Sequence, residues 1–321
     1  MTRSGPGIVF MGTPEFAVES LKAIIGAGYP VKGVVTSQDK PSGRGLQLRS
    51  SPVKIFALEN NIPVLQPLKL KDPDFLEALR KWQADLQVIV AFRMLPEEVW
   101  SMPRLGTFNL HASLLPQYRG AAPINWAVMN GETKTGVTTF FLNHEIDKGS
   151  VIFQEEISIS GEETAGDVHD RLMVIGADLV VATIEGITSG KVAAIDQHLI
   201  ENIVPLRPAP KLFKADCKID WSRDSVSLYN FIRGLSPHPA AWSELTTGEG
   251  DALKVKIFFA RTVNMTNAEK PGTLTTDNRS FLHVSTGDGT IAIERIQLEG
   301  KKQMNTPEFL HGFSAANFRF L

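Results

Sequence analysis

Three polar residues in the middle of the chain are of types that could together catalyse a reaction at a carbonyl carbon: an amide donor, an imidazole and a carboxylate. Asn109 and His111 occupy alternate positions at the start of the stretch Phe108–Gly120, where an apolar run ends. Alternate residues of a strand face the same side, so their side chains are predicted to point together. Histidine exchanges a proton near neutral pH, a carboxylate such as Asp147 orients it, and an asparagine N–H stabilises an oxyanion. The set suits attack of a neutral amine on a carbonyl carbon.

Other interpretations of these residues stay open. A histidine at the end of a strand is often structural, and Asp147 before Lys148-Gly149 could simply form a turn. A nucleophilic enzyme is not indicated, because Cys217 lies far along the chain and Ser113 lacks the flanking glycines of a G-x-S-x-G turn. No zinc-binding H-E-x-x-H or calcium-binding spacing occurs, so no metal is predicted.

The elements before these residues predict an α/β fold. Residues 8–11 form an apolar strand, and Gly12 leads into a helix for which Thr13 is the predicted N-cap and Pro14 the first helical position. A strand at 31–36 completes a βαβ unit. Gly12 alone does not form a dinucleotide-binding motif.

Strands continue to alternate with helices up to residue 190. Strands are predicted at 63–65, 86–92, 137–142 and 151–155, and a long amphipathic helix at 164–190. This order predicts a Rossmann-like, doubly wound, mostly parallel sheet in a domain of residues 1–190.

The pattern changes after a proline-containing linker predicted at residues 191–210. One helix at 225–235 and five short strands between turn signals predict a small OB-like β-barrel over residues 211–321. The strands are expected at 241–245, 253–262, 272–275, 281–284 and 290–298. Such a barrel could bind a polyanion or only support the first domain.

Residues 37–51 form a polar, glycine-punctuated segment that predicts an exposed, mobile loop. It carries Lys40, Arg44 and Arg49 against the single acid Asp39. These cations could contact phosphates, and simple solvation of loop charges explains them equally well.

Composition restricts the class of protein. The 321 residues have a net charge of −2 and 43% hydrophobic residues, which is ordinary globular composition. A lone cysteine fits a reducing compartment, and no leader sequence or membrane-spanning run is visible. We therefore expect a soluble, cytoplasmic protein without a membrane partner, and a monomer.

Longer motifs resemble the methionyl-tRNA formyltransferases. The matching stretches have the order and spacing of that family: Met11-Gly12-Thr13-Pro14, Asn109-Leu110-His111-Ala112-Ser113-Leu114-Leu115-Pro116, Tyr118-Arg119-Gly120-Ala121-Ala122-Pro123, Ile146-Asp147-Lys148-Gly149, Ile219-Asp220-Trp221 and Ala315-Ala316-Asn317. The similarity extends over the whole chain. It departs at Phe92-Arg93, where family members often have Tyr-Gly, and at Lys148, where they often have Thr.

The resemblance implies a substrate pair and roles for particular residues. It implies transfer of a formyl group from 10-formyltetrahydrofolate to the α-amino group of methionine on initiator methionyl-tRNA. Asn109, His111 and Asp147 match the catalytic positions, and Ser113, Leu114, Leu115 and Pro116 match the folate-binding segment. Lys40, Arg44 and Arg49 fall in the loop that meets the tRNA, and Arg119-Gly120 is expected to hold its own loop.

Two rival functions remain at this stage. A formyltransferase acting on a small amine, such as a purine precursor or an amino sugar nucleotide, would share the Asn-x-His pair and the aspartate. A non-catalytic tRNA-binding module would use the barrel alone. The basic loop and the barrel after residue 210 favour a macromolecular substrate over the first rival.

Overall fold

The computed structural model describes residues 5–42, 47–199, 205–247, 252–265, 269–314 and 318–321. The chain divides into two compact units. The first, here the amino-terminal unit, contains Met1–Gly120, Thr135–Ile157 and His169–Pro208. The second, the carboxyl-terminal unit, contains Ala121–Lys134, Ser158–Val168 and Ala209–Leu321. This division interleaves segments of the chain, and the domain boundaries at residues 190 and 210 stay a prediction.

A seven-stranded sheet organises the amino-terminal unit. The first nine strands are β1 (Ile8–Gly12), β2 (Val31–Val35), β3 (Lys40–Ser42), β4 (Gln47–Arg49), β5 (Val64–Leu65), β6 (Leu86–Val90), β7 (Thr107–His111), β8 (Lys134–Phe141) and β9 (Val151–Ser158). The sheet order is β5-β2-β1-β6-β7-β8-β9. Neighbours from β5 to β7 are parallel, and β7 and β8 are antiparallel. The predicted Rossmann-like, mostly parallel sheet is confirmed.

The central strands are buried along their whole length. Every residue of β1 and of β6 is buried, as continuous apolar runs predict for strands covered on both faces. Because β6 and β7 are parallel neighbours, the loops that follow them leave the same edge of the sheet, where α/β folds usually bind ligands.

Six helices of the described residues lie between or after these strands in the sequence, and Pro123–Met129 is part of the carboxyl-terminal unit. Their bounds are α1 (Glu15–Gly26), α2 (Pro52–Glu59), α3 (Pro73–Lys81), α4 (Glu97–Trp100), α5 (Pro123–Met129) and α6 (Ala165–Thr188). The prediction of Thr13 as the N-cap of α1 was wrong. Pro14 occupies that position, with extended backbone and no side-chain cap, so the helix begins one residue later than predicted. Ser51 does cap α2, because its hydroxyl accepts a hydrogen bond from Lys54 N at 3.1 Å.

The predicted loop at 37–51 contains a short hairpin. Strands β3 and β4 pair antiparallel, with Lys40 opposite Arg49. The carboxylate of Asp39 accepts hydrogen bonds from Lys54 Nζ at 2.6 Å and Gln66 Nε2 at 2.9 Å. These bonds attach the base of the hairpin to the sheet domain.

The carboxyl-terminal unit contains the predicted barrel. After α7 (Ser225–Leu235) come β10 (Ala241–Thr246), β11 (Leu253–Val263), β12 (Leu274–Thr276), β13 (Leu282–Ser285), β14 (Thr290–Leu298), β15 (Met304–Asn305), α8 (Thr306–Gly312) and β16 (Arg319–Phe320). The sheet order is β12-β13-β14-β11-β10-β16, with β15 beside β14.

The barrel nearly closes at the two ends of this sheet. Thr273, just before β12, forms an antiparallel bridge with Arg319 of β16. Phe320 N donates a hydrogen bond to Gly272 O at 2.9 Å. Inside, Trp221 stacks on Phe320 at a ring-centroid distance of 5.0 Å. The OB-like prediction is confirmed, with short strands added at its end. None of the described helices is both long and apolar enough to cross a membrane.

Candidate active site

Asn109 and His111 lie near the carboxyl end of β7. Asn109 pairs with Ile89 of β6, and His111 lies opposite Thr138 of β8. Their two-residue spacing places them on one face of the strand, as predicted. The Asn109 side chain is half-buried, and in the described parts of the chain its amide makes no hydrogen bond. That amide is available to a ligand.

The imidazole of His111 is held by a main-chain carbonyl. The side chain is buried, and its Nε2 lies 2.9 Å from Tyr118 O. A carbonyl oxygen only accepts hydrogen bonds, so Nε2 must carry the proton. In the neutral ring Nδ1 is then the nitrogen that can gain a proton. Tyr118, with a positive φ of 57°, presents this carbonyl from a left-handed backbone conformation.

Asp147 faces this free nitrogen. Its Oδ2 lies 4.0 Å from His111 Nδ1, which is beyond direct hydrogen-bond distance. The same oxygen accepts a hydrogen bond from Gly120 N at 3.0 Å. The carboxylate is therefore placed to stabilise a positive charge on the ring, while the Tyr118 carbonyl determines the tautomer.

The loop that carries Asp147 is held by hydrogen bonds to its main chain. Arg119 Nε donates to Asp147 O at 3.1 Å, so it binds this loop, whereas the sequence predicted only that Arg119-Gly120 would hold its own loop. Gln197 Nε2 donates to the same carbonyl at 2.9 Å. Asp147 has a positive φ of 53°, a conformation that is uncommon outside glycine and that Asp and Asn adopt more often than other residues.

The arrangement combines a half-buried amide donor, a histidine with one free nitrogen and a carboxylate that faces it. The geometry allows an N–H to stabilise an oxyanion while His111 takes a proton. The structure brings the three predicted residues to one site, and their catalytic roles stay a prediction.

The predicted folate segment offers two side chains to a ligand. Ser113 is fully buried, and its hydroxyl donates to Gln117 O at 2.6 Å. Leu115 is also buried, and its N–H donates to Thr138 Oγ1 at 3.1 Å. Leu114 and Pro116 are only half-buried. Leu114 and Pro116 could therefore contact a donor, whereas Ser113 and Leu115 fix the backbone.

The predicted tRNA residues are partly described. Lys40 and Arg49 are exposed and lie directly opposite each other on the β3–β4 hairpin. Arg44 lies outside the described residues. The described residues of this hairpin, 40–42 and 47–49, make no hydrogen bond to the described residues of the site.

Sequence patterns missed several parts of the site. The Tyr118 carbonyl is main chain, so its residue type carries no signal. Gln197 lies in the predicted linker, and only folding brings it to Asp147. Thr138 donates to Ser113 O at 2.6 Å and accepts from Leu115 N. Its polar type in the buried run of β8 was a signal that could have found it.

The described residues contain no candidate metal site. Nowhere among them do three or more His, Cys, Asp or Glu side chains come together in a way that could hold a metal ion. Cys217 is buried, and burial raises the pKa of its thiol above the ordinary value. A protonated, inaccessible thiol is a poor nucleophile, which agrees with its exclusion as a catalytic residue.

In this chain a Rossmann-like sheet with an Asn-x-His pair near the end of one strand is followed along the sequence by a nearly closed barrel. The chain belongs to the formyl transferase family: the family model for "Formyl transferase" matches residues 7–184, and "Formyl transferase, C-terminal domain" matches residues 211–314. The resemblance found in the sequence motifs is confirmed.

Relatives that match nearly the whole chain have the same name. It is 56% identical over 95% of its length, and 94% of the relative, to a methionyl-tRNA formyltransferase of Bacteroides fragilis. A methionyl-tRNA formyltransferase of Porphyromonas gingivalis is 45% identical over 98% of both chains.

Among solved structures, the sugar 3N-formyl transferase WlaRD has a TM-score of 0.63 at 20% identity, covering 92% of this chain and 99% of that one. HypX from Aquifex aeolicus, in complex with tetrahydrofolic acid, has a TM-score of 0.63 at 19% identity over 95% of this chain. This chain spans about half of HypX, 46% of its length. At these identities the likeness shows the fold alone.

Proposed function

We propose that this protein transfers the formyl group of 10-formyltetrahydrofolate to the α-amino group of methionine on initiator methionyl-tRNA. The observation that carries the proposal is the position of Asn109 and the buried His111 on one face of β7, with His111 Nδ1 facing Asp147 Oδ2 at 4.0 Å. Full-length relatives named methionyl-tRNA formyltransferase support the choice of acceptor.

In this reaction the amine nitrogen forms a bond to the formyl carbon, and the bond from that carbon to N10 of the folate breaks. The amine loses a proton, and N10 gains one. The Asn109 N–H stabilises the developing oxyanion, while His111 Nδ1 accepts the proton from the amine and returns it to the leaving nitrogen. Asp147 stabilises the transient imidazolium. Holding both substrates in line contributes further.

The residues around the site fit a folate. Leu114 and Pro116 are half-buried, and Ile146, next to Asp147, leaves 63% of its side chain exposed. Met94, in the loop after β6, leaves 73% exposed. A flat aromatic ligand bound here would cover these apolar side chains. These residues would contact the donor, which supplies the formyl carbon.

The hairpin of β3 and β4 would contact the tRNA. Lys40 and Arg49 are paired directly across the strands, and like charges in that arrangement repel each other. The nearby acid Asp39 is engaged by Lys54, which holds the pKa of that carboxyl below its ordinary value. An anionic backbone would relieve the repulsion, so we infer that both cations, together with Arg44, bind phosphates.

The proposal includes location and assembly. A protein that formylates tRNA works beside the ribosome, so we place it in the cytoplasm, where a buried free thiol such as Cys217 persists. We propose that it acts as a monomer. Light scattering of the purified protein, with and without tRNA, tests this; a dimer mass would contradict it.

The direct test offers the purified protein radiolabelled 10-formyltetrahydrofolate and one of three acceptors: charged initiator tRNA, free methionine or an amino sugar nucleotide. We expect label on the charged tRNA and little on the other two. Transfer mainly to the sugar nucleotide would favour the small-amine function. Salt-sensitive tRNA binding without transfer would favour a non-catalytic binding module.

A further inference from the structure

Gln197 is a buried glutamine at the edge of the candidate site, and its carboxamide makes all the hydrogen bonds that it can. It has no solvent exposure and begins the short turn Gln197–Leu199. Its Nε2 donates to Asp147 O at 2.9 Å and to Gly149 O at 2.7 Å. Its Oε1 accepts from Arg119 Nη2 at 2.6 Å and from Nε at 3.1 Å. A carboxamide has two N–H donors and two acceptor sites, so all are engaged.

The main-chain path of the segment that Gln197 binds depends on its surroundings. Asp147 has a φ of 53°, in the left-handed region that most L-residues disfavour and that Asp and Asn enter more often than the others. At Gly149 a β-carbon would lie 1.6 Å from Phe141 O, so the backbone there passes against its neighbour with no space for a side chain. A strained conformation persists only when surrounding contacts determine it, and two of those contacts come from Gln197.

Arg119 links the same groups from the other side. Its Nε lies 3.1 Å from both Asp147 O and Gln197 Oε1. The next residue, Gly120, donates its N–H to Asp147 Oδ2 at 3.0 Å. Gln197 and Arg119 therefore hold the main chain of Asp147, while Gly120 holds its carboxylate.

We propose that Gln197 is a positioning residue for formyl transfer. Through its bonds to the 147–149 segment and to Arg119, it keeps the Asp147 carboxylate 4.0 Å from His111 Nδ1. The inference rests on the proposed function, because it assumes that Asp147 acts in the reaction. It adds a part of the site that lies outside both family-matched ranges, 7–184 and 211–314.

The test uses two substitutions of Gln197 in the full chain. Gln197→Leu removes every hydrogen bond at nearly constant volume. Gln197→Glu retains the acceptor for Arg119 but cannot donate to the carbonyls of Asp147 and Gly149. A displacement of about 1 Å can slow an enzyme by about 100-fold. We expect kcat to fall about 10- to 100-fold in both variants, with KM for both substrates within about threefold of the wild type.

Thr183→Val is the matched control. Thr183 is buried in the same unit, and its hydroxyl bonds to Thr139 Oγ1 at 2.8 Å and to Leu179 O at 2.7 Å. Thr139 lies opposite Leu110, so the substitution removes a buried hydrogen-bonding group on the other face of the sheet from Asn109 and His111. Thermal unfolding of every variant reports the general cost of such a loss, and kcat of Thr183→Val should stay within about twofold of the wild type.

A double-mutant cycle separates positioning from general damage. If Gln197 acts only through Asp147, adding Gln197→Leu to Asp147→Asn should lower kcat by less than threefold beyond Asp147→Asn alone. Multiplicative losses, or a normal kcat in Gln197→Glu, would overturn the inference. If Gln197→Leu does not fold, Gln197→Glu, which keeps the pairing with Arg119, carries the cycle.

The outcomes also distinguish this inference from the function on which it rests. A wild type without formyl transfer would overturn both. A wild type that is active, an Asp147→Asn variant that is slow and a Gln197 variant with normal kcat would overturn only the positioning role.

Discussion

Replacing Asp147 by Asn removes one charge from the candidate site and little else. The amide oxygen of the new side chain can still accept the hydrogen bond from Gly120 N, which is 3.0 Å long in the native site. The main-chain bonds that hold the loop stay in place. The charge that faced His111 Nδ1 at 4.0 Å is lost.

The size of the effect follows from that distance. Two full charges 4.0 Å apart interact by about 4 kcal/mol at an effective dielectric constant of about 20. If the His111 ring is half protonated in the transition state, its interaction with the Asp147 carboxylate is about 2 kcal/mol. Because each 1.4 kcal/mol is about tenfold in rate, kcat should fall about 30- to 1,000-fold, with a small change in KM for the folate.

Glu145→Gln is the control for the same loss of charge in the same loop. Glu145 is half-exposed, and its carboxylate pairs with Lys148 at 2.6 Å rather than with Asn109, His111 or Asp147. The assay measures initial rates of methionyl-tRNA formylation at saturating folate. Asp147→Asn within threefold of the wild type, or Glu145→Gln as slow as Asp147→Asn, would refute the electrostatic reasoning.

Three further predictions concern other parts of the chain. Lys40→Ala and Arg49→Ala should each raise KM for tRNA severalfold with kcat unchanged. Each should also reduce the slope of log affinity against log salt concentration by about 1. An unchanged slope would contradict a phosphate contact. Gly149→Ala places a β-carbon 1.6 Å from Phe141 O, so it must displace the loop and should lower kcat by about 100-fold, as measured by the same formylation assay. Burial raises the pKa of Cys217, leaving less thiolate at a given pH, so alkylation at pH 8 should be at least about tenfold slower in the folded protein than in urea; equal rates would contradict the burial.

Local sequence patterns predicted most of the framework. The strand at residues 8–11 was predicted correctly, because a short, continuous apolar run bounded by turn signals is typical of a buried strand. The helix Ser225–Leu235 has the bounds predicted for it, since Asp224 caps its start by accepting from Ser227 N. The helix Thr306–Gly312 was not predicted, although Asn305 forms a capping box with Glu308 that could have been recognised.

The rest of the site depends on contacts between distant residues. Residue types and their alternation were enough to predict that Asn109 and His111 lie on the same face of one strand. They could not show that a carbonyl of Tyr118 determines the tautomer, because main-chain direction is not encoded in one residue type. Gln197 lies in a stretch without periodicity, and its contact with Asp147 spans 50 positions of the chain. Such long-range hydrogen bonds appear only when the fold is known.

The rate of formyl transfer by the His111→Ala variant tests the central claim most directly. The measurement is a single-turnover assay with saturating 10-formyltetrahydrofolate and charged initiator tRNA, with folate and tRNA binding measured on the same samples. We predict that wild-type protein formylates the tRNA, and that His111→Ala binds both substrates but transfers at least about 100-fold more slowly. Full activity in His111→Ala would contradict the assignment of the site.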